Sequence, residues 1–283
     1  MRRAVTASFV LILVTAFAGA PSPATPEELI RLESIPYRAS EIVKRAEIER
    51  GKTPKAPDTV EAWLSKPEGD GPFPAIVYLH GCGGLSKSRR DTIAALMTGW
   101  GYVTLAVDSF TSRGLKYSCD NLMSAREGDA LAALRHLSAQ RFVDPQRIAV
   151  VGSSQGAIVA LQLASTRPRF FAVPDDLKFR AVVAYYPECS FATEQLTLPA
   201  VILIGERDDW TPAADCEQWM ARRAGKGAPV KLVVYPGAYH SFDNPDVGKE
   251  PLYVFGHWVK YDADATQRSI AEMREFLATQ FAR

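Results

Sequence analysis

Three kinds of side chain that together perform nucleophilic catalysis each follow an apolar segment of this chain. They are a serine in Gly-Ser-Ser-Gln-Gly (152–156), an acidic pair in Glu-Arg-Asp-Asp-Trp (206–210) and a histidine in Ala-Tyr-His-Ser-Phe (238–242). A serine hydroxyl becomes a nucleophile when a base such as histidine removes its proton. The histidine needs a carboxylate that fixes its tautomer and stabilises the imidazolium. The set predicts hydrolysis or transfer of an acyl group.

The serine stretch has the pattern Gly-x-Ser-x-Gly between a strand-like and a helix-like segment, which is typical of a nucleophile elbow. Small residues at 152 and 156 let the chain turn sharply from strand to helix. The middle residue is then held at the tip of the turn with its hydroxyl exposed. The pattern therefore predicts Ser154 as the nucleophile and Ser153 as its neighbour without a chemical role.

Of the four histidines, His240 is the predicted base because it lies on a turn after the last apolar segment. His136 falls within a helix-like run, and His257 follows the expected catalytic turn. His80 belongs to the glycine-rich loop 80–84 and is expected to shape it by hydrogen bonding.

The acid partner and the donors for the reaction's oxyanion also follow apolar segments. Asp208 and Asp209 both fit the acid by spacing, and either could instead be an N-terminal acid of the next helix. A tetrahedral intermediate needs two N–H donors for its negative oxygen. The backbone N–H of Gln155 is the first expected donor, and that of Cys82 in the glycine-rich loop is the second.

Alternating apolar and helix-like segments predict an α/β fold in which helices cover both faces of a mostly parallel sheet. The apolar runs are rich in Val and Ile and do not alternate with polar residues, as expected for strands buried on both faces. The carboxyl ends of parallel strands share one edge, so the serine, acid and histidine should meet there. The predicted strands are Ala75–Leu79, Tyr102–Val107, Ile148–Val151, Ala181–Tyr186, Ala200–Ile204 and Lys231–Tyr235, and the helices are Lys87–Met97, Ala125–Ser138, Gln155–Ser165, Pro212–Ala224 and Ala265–Phe281.

The part of the chain before these segments is predicted to be a polar helical extension over 21–57. Two segments in it, Glu27–Glu33 and Glu41–Glu49, have a helix-like composition, and Thr59–Ser65 reads as an edge strand. Without internal repeats or a second core, residues 58–283 are predicted to form one domain.

Residues 1–20 have the features of a secretory signal peptide. Arg2 and Arg3 precede the apolar stretch 4–20, and Ala16-Phe17-Ala18 fits the small-x-small rule for cleavage, which is expected near residues 18–24. The alternative is an uncleaved anchor helix, for which the stretch is short. We therefore expect a periplasmic or secreted protein without a stable membrane anchor.

The overall charge of the chain gives no indication of a highly charged partner. A formal net charge of +1, with no long block of like charge, gives no electrostatic reason to expect nucleic acid or an anionic membrane surface as a partner. The sequence pattern does not define the oligomeric state.

Five motifs make the chain resemble the dienelactone hydrolase family of the α/β-hydrolase superfamily. They are YLHGCGGL, VDSFTSRG, GSSQGA, IGERDDWTPAADC and YPGAYHSFD, and they occur in the family's order over roughly residues 58–283. The resemblance implies an α/β-hydrolase fold and a serine or cysteine hydrolase that uses neither a metal nor an organic cofactor. It favours Asp208 as the acid, because members tend to have a proline four residues later, here Pro212.

The chain departs from the founding members of that family, which are cytoplasmic and have a cysteine nucleophile where this chain has Ser154. The expected substrate is therefore a small carboxylic ester or lactone rather than dienelactone itself. The alternatives are an amidase, peptidase or acyltransferase with the same catalytic residues, and a catalytically silent binding protein of the same fold.

Four aromatic residues beside the motifs are candidates for a small substrate pocket with little or no lid. Only about a dozen residues separate the strands ending near Tyr186 and starting at Ala200, which leaves little room for a large lid. Packing of the rim is the alternative function of each aromatic side chain. The candidates are Phe110, Tyr186, Trp210 and Tyr239.

The four cysteines of an exported chain permit two disulfide bonds. In the usual strand order of the α/β-hydrolase fold, the strand before Cys82 neighbours the strand that leads toward Cys119. The strand before Cys189 likewise neighbours the strand that leads toward Cys216. The expected pairs are Cys82–Cys119 and Cys189–Cys216, and four free thiols are the alternative.

Overall fold

The computed structural model describes residues 27–53, 58–121, 126–174 and 176–282. The described chain forms one eight-stranded sheet in the order β1-β2-β4-β3-β5-β6-β7-β8. Strands β3 to β8 are parallel, whereas β1 and β2 pair antiparallel with each other and β2 pairs antiparallel with β4. The strands are β1 (Glu28–Glu33), β2 (Thr59–Ser65), β3 (Phe73–Leu79), β4 (Val103–Asp108), β5 (Val143–Ser153), β6 (Val182–Tyr185), β7 (Ala200–Gly205) and β8 (Val230–Tyr235).

The central strands carry the core of the protein. Every residue of β4, β6 and β7 is buried, which explains why their sequences show no apolar–polar alternation. Strand β2 does alternate, since only one of its faces is fully covered. The prediction of a mostly parallel sheet with helices is confirmed.

Six α-helices accompany the sheet in the described chain: α1 (Arg38–Glu49), α2 (Lys87–Gly99), α3 (Arg126–Ser138), α4 (Gln155–Leu163), α5 (Ala213–Arg222) and α6 (Ala263–Phe281). Helices α3 and α4 contact each other and the central strands. All but one of the nine residues of α4 are buried, so this helix lies deep in the molecule. It begins at Gln155, within the Gly-Ser-Ser-Gln-Gly motif, and therefore holds one end of that turn rigidly.

The predicted helix over Glu27–Glu33 is wrong, because this segment is strand β1. Its backbone pairs with β2 from Glu28↔Leu64 to Glu33↔Thr59, so β2 is not an edge strand either. Leu32 is buried between exposed Arg31 and Glu33, a period of two that the polar composition obscures. Pairing with the open edge of β2 outweighs the weak helical preference of the segment. The neighbouring prediction of a helix over Glu41–Glu49 agrees with α1.

A small second sheet follows the last strand of the main sheet. It is a hairpin of β9 (Leu252–Val254) and β10 (His257–Val259), located between the His240 loop and α6. The sequence did not predict this element. The predicted signal peptide, including its cleavage region at 18–24, lies outside the described residues.

Candidate active site

The turn between β5 and α4 holds Ser154 in a strained backbone conformation. Its φ of 53° and ψ of −120° lie in a region that residues other than glycine rarely adopt. A Cβ atom at Gly152 would lie 2.2 Å from the carbonyl oxygen of Gly156, and one at Gly156 would lie 2.2 Å from that of Leu79. Both positions therefore require glycine, which is the physical reason for the Gly-x-Ser-x-Gly pattern.

His240 brings the predicted serine and acid together. Its Nε2 atom lies 3.1 Å from Ser154 Oγ, and its Nδ1 atom lies 2.8 Å from Asp208 Oδ2. The three residues come from the turns after β5, β7 and β8, so they meet at one edge of the parallel sheet. The histidine and the acid are buried, which keeps water away from the contact between them.

The structure distinguishes Asp208 from Asp209. The Asp208 carboxylate accepts the backbone N–H groups of Trp210 at 3.0 Å and Thr211 at 2.8 Å, and the Thr211 hydroxyl at 3.0 Å. These bonds orient the carboxylate toward His240. Asp209 points elsewhere and accepts the backbone N–H of Trp258 at 3.0 Å, so it anchors the β9–β10 hairpin.

The glycine-rich loop after β3 lies directly beside the serine. A Cβ atom at Gly81 would lie 3.4 Å from the Cβ of Ser154, and Cys82 lines the same cavity as Ser154. Gln155 is the first residue of α4, where an N–H has no partner within its own helix. Both residues predicted to supply N–H donors therefore flank the serine.

His80 holds the glycine-rich loop in shape through hydrogen bonds of its buried ring. Burial, together with the positive charge of Arg126, lowers the pKa of His80 to about 3, so the ring is neutral at ordinary pH. Its Nε2 atom accepts the backbone N–H of Ser109 at 3.2 Å. The proton is therefore on Nδ1, which donates to the Gly81 carbonyl oxygen at 2.6 Å. The sequence prediction of a structural role for His80 agrees with these contacts.

Arg126 is a buried residue of the site that the sequence analysis did not single out. Its guanidinium donates to the Gln155 side-chain oxygen at 2.8 Å and to the His80 carbonyl oxygen at 2.5 Å. It thereby ties the glycine-rich loop to the start of α4. Burial lowers the pKa of Arg126 to about 10, which leaves the side chain charged at neutral pH. An arginine near a helix start gives no sequence signal that separates it from a surface residue.

A second buried arginine lies behind Ser154. Arg89 donates to the hydroxyls of Tyr78 at 2.8 Å and Ser153 at 3.1 Å, and it forms an ion pair with Asp243. The hydroxyl of Tyr186 donates to the same Asp243 at 2.6 Å, and burial together with the Asp243 charge raises the pKa of Tyr186. This network joins α2, the elbow and the histidine loop. Ser153 is thus a buried partner of Tyr78 and Arg89, and its hydroxyl has no contact with His240 among the hydrogen bonds of the described chain.

Two disulfide bonds link loops at the same edge of the sheet. They join Cys82 to Cys119 and Cys189 to Cys216, with Cα–Cα distances of 4.8 Å and 5.0 Å. This is the pairing that the strand order predicts. The first bond attaches the glycine-rich loop to the loop that precedes α3, and the second attaches the turn that follows β6 to α5.

A cavity of about 320 Å³ is lined by both Ser154 and His240. Its size suits the reacting part of a small molecule. Of the four aromatic residues predicted to line a pocket, Tyr186 and Trp210 do so. Their rings lie 4.5 Å and 5.0 Å from the His240 ring, between centroids.

The other two aromatic predictions are wrong as to position. Phe110 is fully buried against His80 and Arg126, and it therefore packs beneath the glycine-rich loop. Tyr239 turns toward Arg207 and lies outside the cavity lining. Instead, the lining includes Val254, Phe255 and Val259 of the unpredicted hairpin.

Larger hollows elsewhere do not bring catalytic side chains together. A cavity of about 480 Å³ lies beside Thr166, Pro174 and Leu177, and its described lining has no nucleophile paired with a base. No group of three or more His, Cys, Asp or Glu in the described chain could hold a metal ion. Over the same described ranges, no helix is long and apolar enough to cross a bilayer.

Comparisons with known proteins agree with this fold. The family model of the dienelactone hydrolase family matches residues 60–281. Two uncharacterised proteins from two strains of Mycobacterium tuberculosis are 31% identical over 198 residues, which is 63% of this chain and 67% of theirs.

Solved structures with 18–20% identity share the fold. One is a dienelactone hydrolase-like promiscuous phosphotriesterase from metagenomic libraries, with 18% identity and a TM-score of 0.63, covering 93% of this chain and 99% of that one. Another is a propionate-bound thermophilic esterase from Thermogutta terrifontis, with 19% identity and a TM-score of 0.60, covering 78% of this chain and 89% of that one.

The fold and the family match define the class as carboxylic ester hydrolases with an α/β-hydrolase architecture. Within that class, the chain belongs to the dienelactone hydrolase family.

Proposed function

We propose that this protein is a serine hydrolase that cleaves a small carboxylic ester or lactone through an acyl-enzyme. Ser154 is the nucleophile, His240 the general base and acid, and Asp208 the acid that orients the histidine. The observation that carries the proposal is the continuous line of contacts from Asp208 Oδ2 through the His240 ring to Ser154 Oγ, at 2.8 Å and 3.1 Å.

In the first half of the reaction, Ser154 Oγ attacks the carbonyl carbon of the ester while its proton passes to His240 Nε2. The carbonyl oxygen becomes an alkoxide, and the intermediate collapses as the bond to the alcohol oxygen breaks. His240 gives its proton to that oxygen, so a neutral alcohol leaves. The acyl group stays on Ser154 as an ester.

In the second half, water attacks the acyl carbon while His240 Nε2 takes one of its protons. The bond to Ser154 Oγ then breaks, and the proton returns from His240 to the serine. The products are a carboxylic acid and the free enzyme. In a lactone the leaving alcohol remains part of the same molecule.

The backbone N–H groups of Cys82 and Gln155 are proposed to stabilise the alkoxide in both halves. Arg126 supports this role as a positioning residue, because one guanidinium contacts both the His80 carbonyl group and the Gln155 side chain. Donors held in place before the reaction need no reorganisation when the charge develops, which lowers the barrier.

We also propose that the protein is exported to the periplasm or the medium after cleavage near residues 18–24. The signal-like pattern of residues 1–20 supports this proposal. The two disulfide bonds are compatible with it, because such bonds persist in oxidising compartments.

The catalytic proposal is tested with 4-nitrophenyl acetate and butyrate. We expect wild-type protein to hydrolyse them and Ser154→Ala to lose on the order of 10⁶ in kcat, as when a nucleophile of this kind is removed. A fluorophosphonate should add its mass to the peptide containing Ser154.

The matched control is Ser190→Ala, which removes another serine hydroxyl at an exposed position of the chain. It should keep wild-type activity and be labelled normally. Undiminished hydrolysis by purified Ser154→Ala, or labelling of a different residue, would refute the assignment.

A further inference from the structure

The β9–β10 hairpin adds an apolar wall to the cavity that contains Ser154. One face of the hairpin carries Val254 and Val259, which line the cavity, and His257, whose ring stacks on Trp210 with centroids 4.9 Å apart. Residues alternate between faces along a strand, so Tyr253 and Trp258 lie on the opposite face. The hairpin therefore has an inner face toward the cavity and an outer face toward solvent.

Phe255 at the tip of the hairpin is in an unusual position for its residue type. The turn consists of Phe255 and Gly256, with φ values of 50° and 89°. A two-residue turn of this kind favours asparagine followed by glycine, because a bulky side chain is strained at positive φ. The ring also lines the cavity while 52% of the residue is exposed. Strain at an exposed position that local packing does not require points to a role in binding.

The ring of Tyr117, which lies outside the cavity lining, packs against the ring of Phe255. Their ring centroids are 5.4 Å apart, and Trp210 lies 6.2 Å from Phe255 on the inner side. Tyr117 is 53% exposed and belongs to the loop that the Cys82–Cys119 bond attaches to the glycine-rich loop. Three aromatic rings from separate segments thus form a row that leads from the cavity containing Ser154 to the exposed surface.

The charges in the cavity select against an anionic substrate. The Arg89 charge is offset by its ion pair with Asp243. Asp246 also lines the cavity, where it accepts hydrogen bonds from the hydroxyls of Ser86 and Ser88, and no ion pair of this carboxylate occurs in the described chain. The lining therefore supplies one uncompensated negative charge and no uncompensated arginine or lysine among its described residues. A carboxylate on the substrate would be repelled here.

We propose that Phe255, Tyr117 and Trp210 form a subsite that binds the apolar group, aromatic or alkyl, of a neutral ester cleaved at Ser154. The proposal rests on the proposed function and adds the substrate class. Its occupant is part of the substrate molecule, because the rings are continuous with the cavity of the nucleophile. The rings place the apolar group at the mouth, and the scissile carbonyl group then reaches the serine.

The test measures kcat/KM for two pairs of neutral esters, each used at concentrations at which it is fully dissolved and does not aggregate. The first pair, 4-nitrophenyl acetate and 4-nitrophenyl 3-phenylpropanoate, varies the acyl group. The second pair, ethyl acetate and 2-phenylethyl acetate, varies the alcohol. In at least one pair the wild-type protein should prefer the larger ester, by about 10-fold if two aromatic contacts form.

The decisive variant is Phe255→Asn, because asparagine followed by glycine suits the turn while the ring is removed. It should lower the ratio of kcat/KM for the larger ester to that for the smaller one by about 5-fold, the size of one aromatic contact. Tyr117→Ser removes the facing ring from another segment and should lower the same ratio. Melting temperatures establish that each variant is folded.

Two matched controls separate this subsite from other uses of the exposed rings. Tyr253→Ser removes a ring from the outer face of the same hairpin, and Phe170→Ser removes an equally exposed ring outside the cavity lining. Both should keep the wild-type ratio.

Three results would overturn the proposal. The first is an unchanged ratio in folded Phe255→Asn and Tyr117→Ser. The second is an equal loss in Tyr253→Ser together with sedimentation on phosphatidylcholine vesicles, which would assign the hairpin to an apolar surface. The third is a dimer in analytical ultracentrifugation that dissociates in Tyr253→Ser, which would assign it to a second copy. If wild-type protein cleaves no ester at all, the proposed function itself fails, and the subsite falls with it.

Discussion

At the scale of single residues, the candidate site depends on positions where another residue type would not fit. Gly152 and Gly156 approach backbone atoms so closely that any side chain would displace the elbow. Ser154 carries the strain of that turn, and Asp208 has four hydrogen-bond donors around its carboxylate. The strand-to-helix turn leaves a recognisable motif in the sequence, and so does the order of serine, acid and histidine along the chain. The sequence pattern therefore predicts the serine and the histidine.

The choice between two adjacent acids shows where residue types alone stop being informative. Asp208 and Asp209 have the same chemistry and differ by one position, so only the resemblance to a family separated them. In the structure, the N–H groups of Trp210 and Thr211 hold Asp208 against His240. Asp209 instead accepts a hydrogen bond from a backbone N–H of the β9–β10 hairpin. One peptide unit turns the two carboxylates in different directions, and composition does not encode that direction.

We expect Asp208→Asn to lower kcat by roughly 10⁴, because an amide at this position favours the wrong imidazole tautomer. Asp209→Asn is the matched control, one residue away with the same change of charge. It should retain most of kcat, since its carboxylate contacts the hairpin instead of the histidine. Steady-state kinetics on a short-chain ester compares the two. A larger loss in Asp209→Asn would move the acid by one residue.

At the scale of elements, strand ends bring the candidate catalytic residues together, and buried polar side chains keep the loops in place. The strands were predictable because continuous apolar runs need burial on both faces. Strand β1 was not, because its few apolar residues gave no clear period and its pairing partner lies far along the chain. The β9–β10 hairpin was not predicted, because two strands of three residues are too short to show a hydrophobic period in the sequence.

Arg89 and Arg126 were missed for a related reason. Arginine is usually exposed, and its burial here depends on partners from distant segments that no local pattern reveals. Arg126 holds the glycine-rich loop against α4, and Arg89 holds the elbow against the histidine loop. Tertiary contacts of this kind are absent from the local sequence, although they decide where the predicted motifs lie.

The buried His80 should make the stability of the glycine-rich loop depend on pH. Its folded pKa is about 3, against about 6.5 for a histidine in an unfolded chain. Between these values the unfolded chain binds a proton that the folded protein does not, so the free energy of unfolding falls as pH falls. The contribution is complete above pH 6.5 and decreases by about 1.4 kcal/mol per pH unit below it. The charges that face the ring are those of Arg126 and Asp108.

We therefore compare urea unfolding of wild-type protein and His80→Gln at pH 7.5 and pH 5. An amide keeps a donor and an acceptor but does not titrate in this range. The stability difference between the two proteins should shrink by about 2 kcal/mol from pH 7.5 to pH 5, because only the wild-type chain takes up the extra proton on unfolding. A difference that stays constant over this range would show that the buried ring does not control the acid sensitivity.

At the scale of the whole molecule, both disulfide bonds lie at the edge of the sheet that carries the candidate site. Cys82–Cys119 spans 37 residues and braces the glycine-rich loop together with the segment that holds Tyr117. Cys189–Cys216 spans 27 residues and braces α5, which follows the Asp208 turn. The two bonds therefore constrain segments at the edge of the sheet that carries the candidate site.

Each bond should add about 3–4 kcal/mol to the free energy of unfolding, since a loop of a few tens of residues loses that much entropy of the unfolded chain. We expect Cys189→Ala/Cys216→Ala to lower stability with kcat largely retained. Cys82→Ala/Cys119→Ala should lower stability by a similar amount and also lower kcat, because the loop beside Ser154 loses its attachment. Urea unfolding and short-ester kinetics measure the two effects separately.

The same bonds provide a test of export in the intact protein. Protein recovered from the periplasm or medium should begin near residues 18–24 on N-terminal sequencing and should bind no alkylating reagent until it is reduced. Non-reducing peptide mapping should then recover Cys82 with Cys119 and Cys189 with Cys216. Four alkylatable thiols in protein from its native compartment would contradict both disulfide bonds. Protein with an intact N-terminus in the cytoplasmic fraction would contradict export. The proposed catalytic residues are tested separately, by the kinetics of their variants.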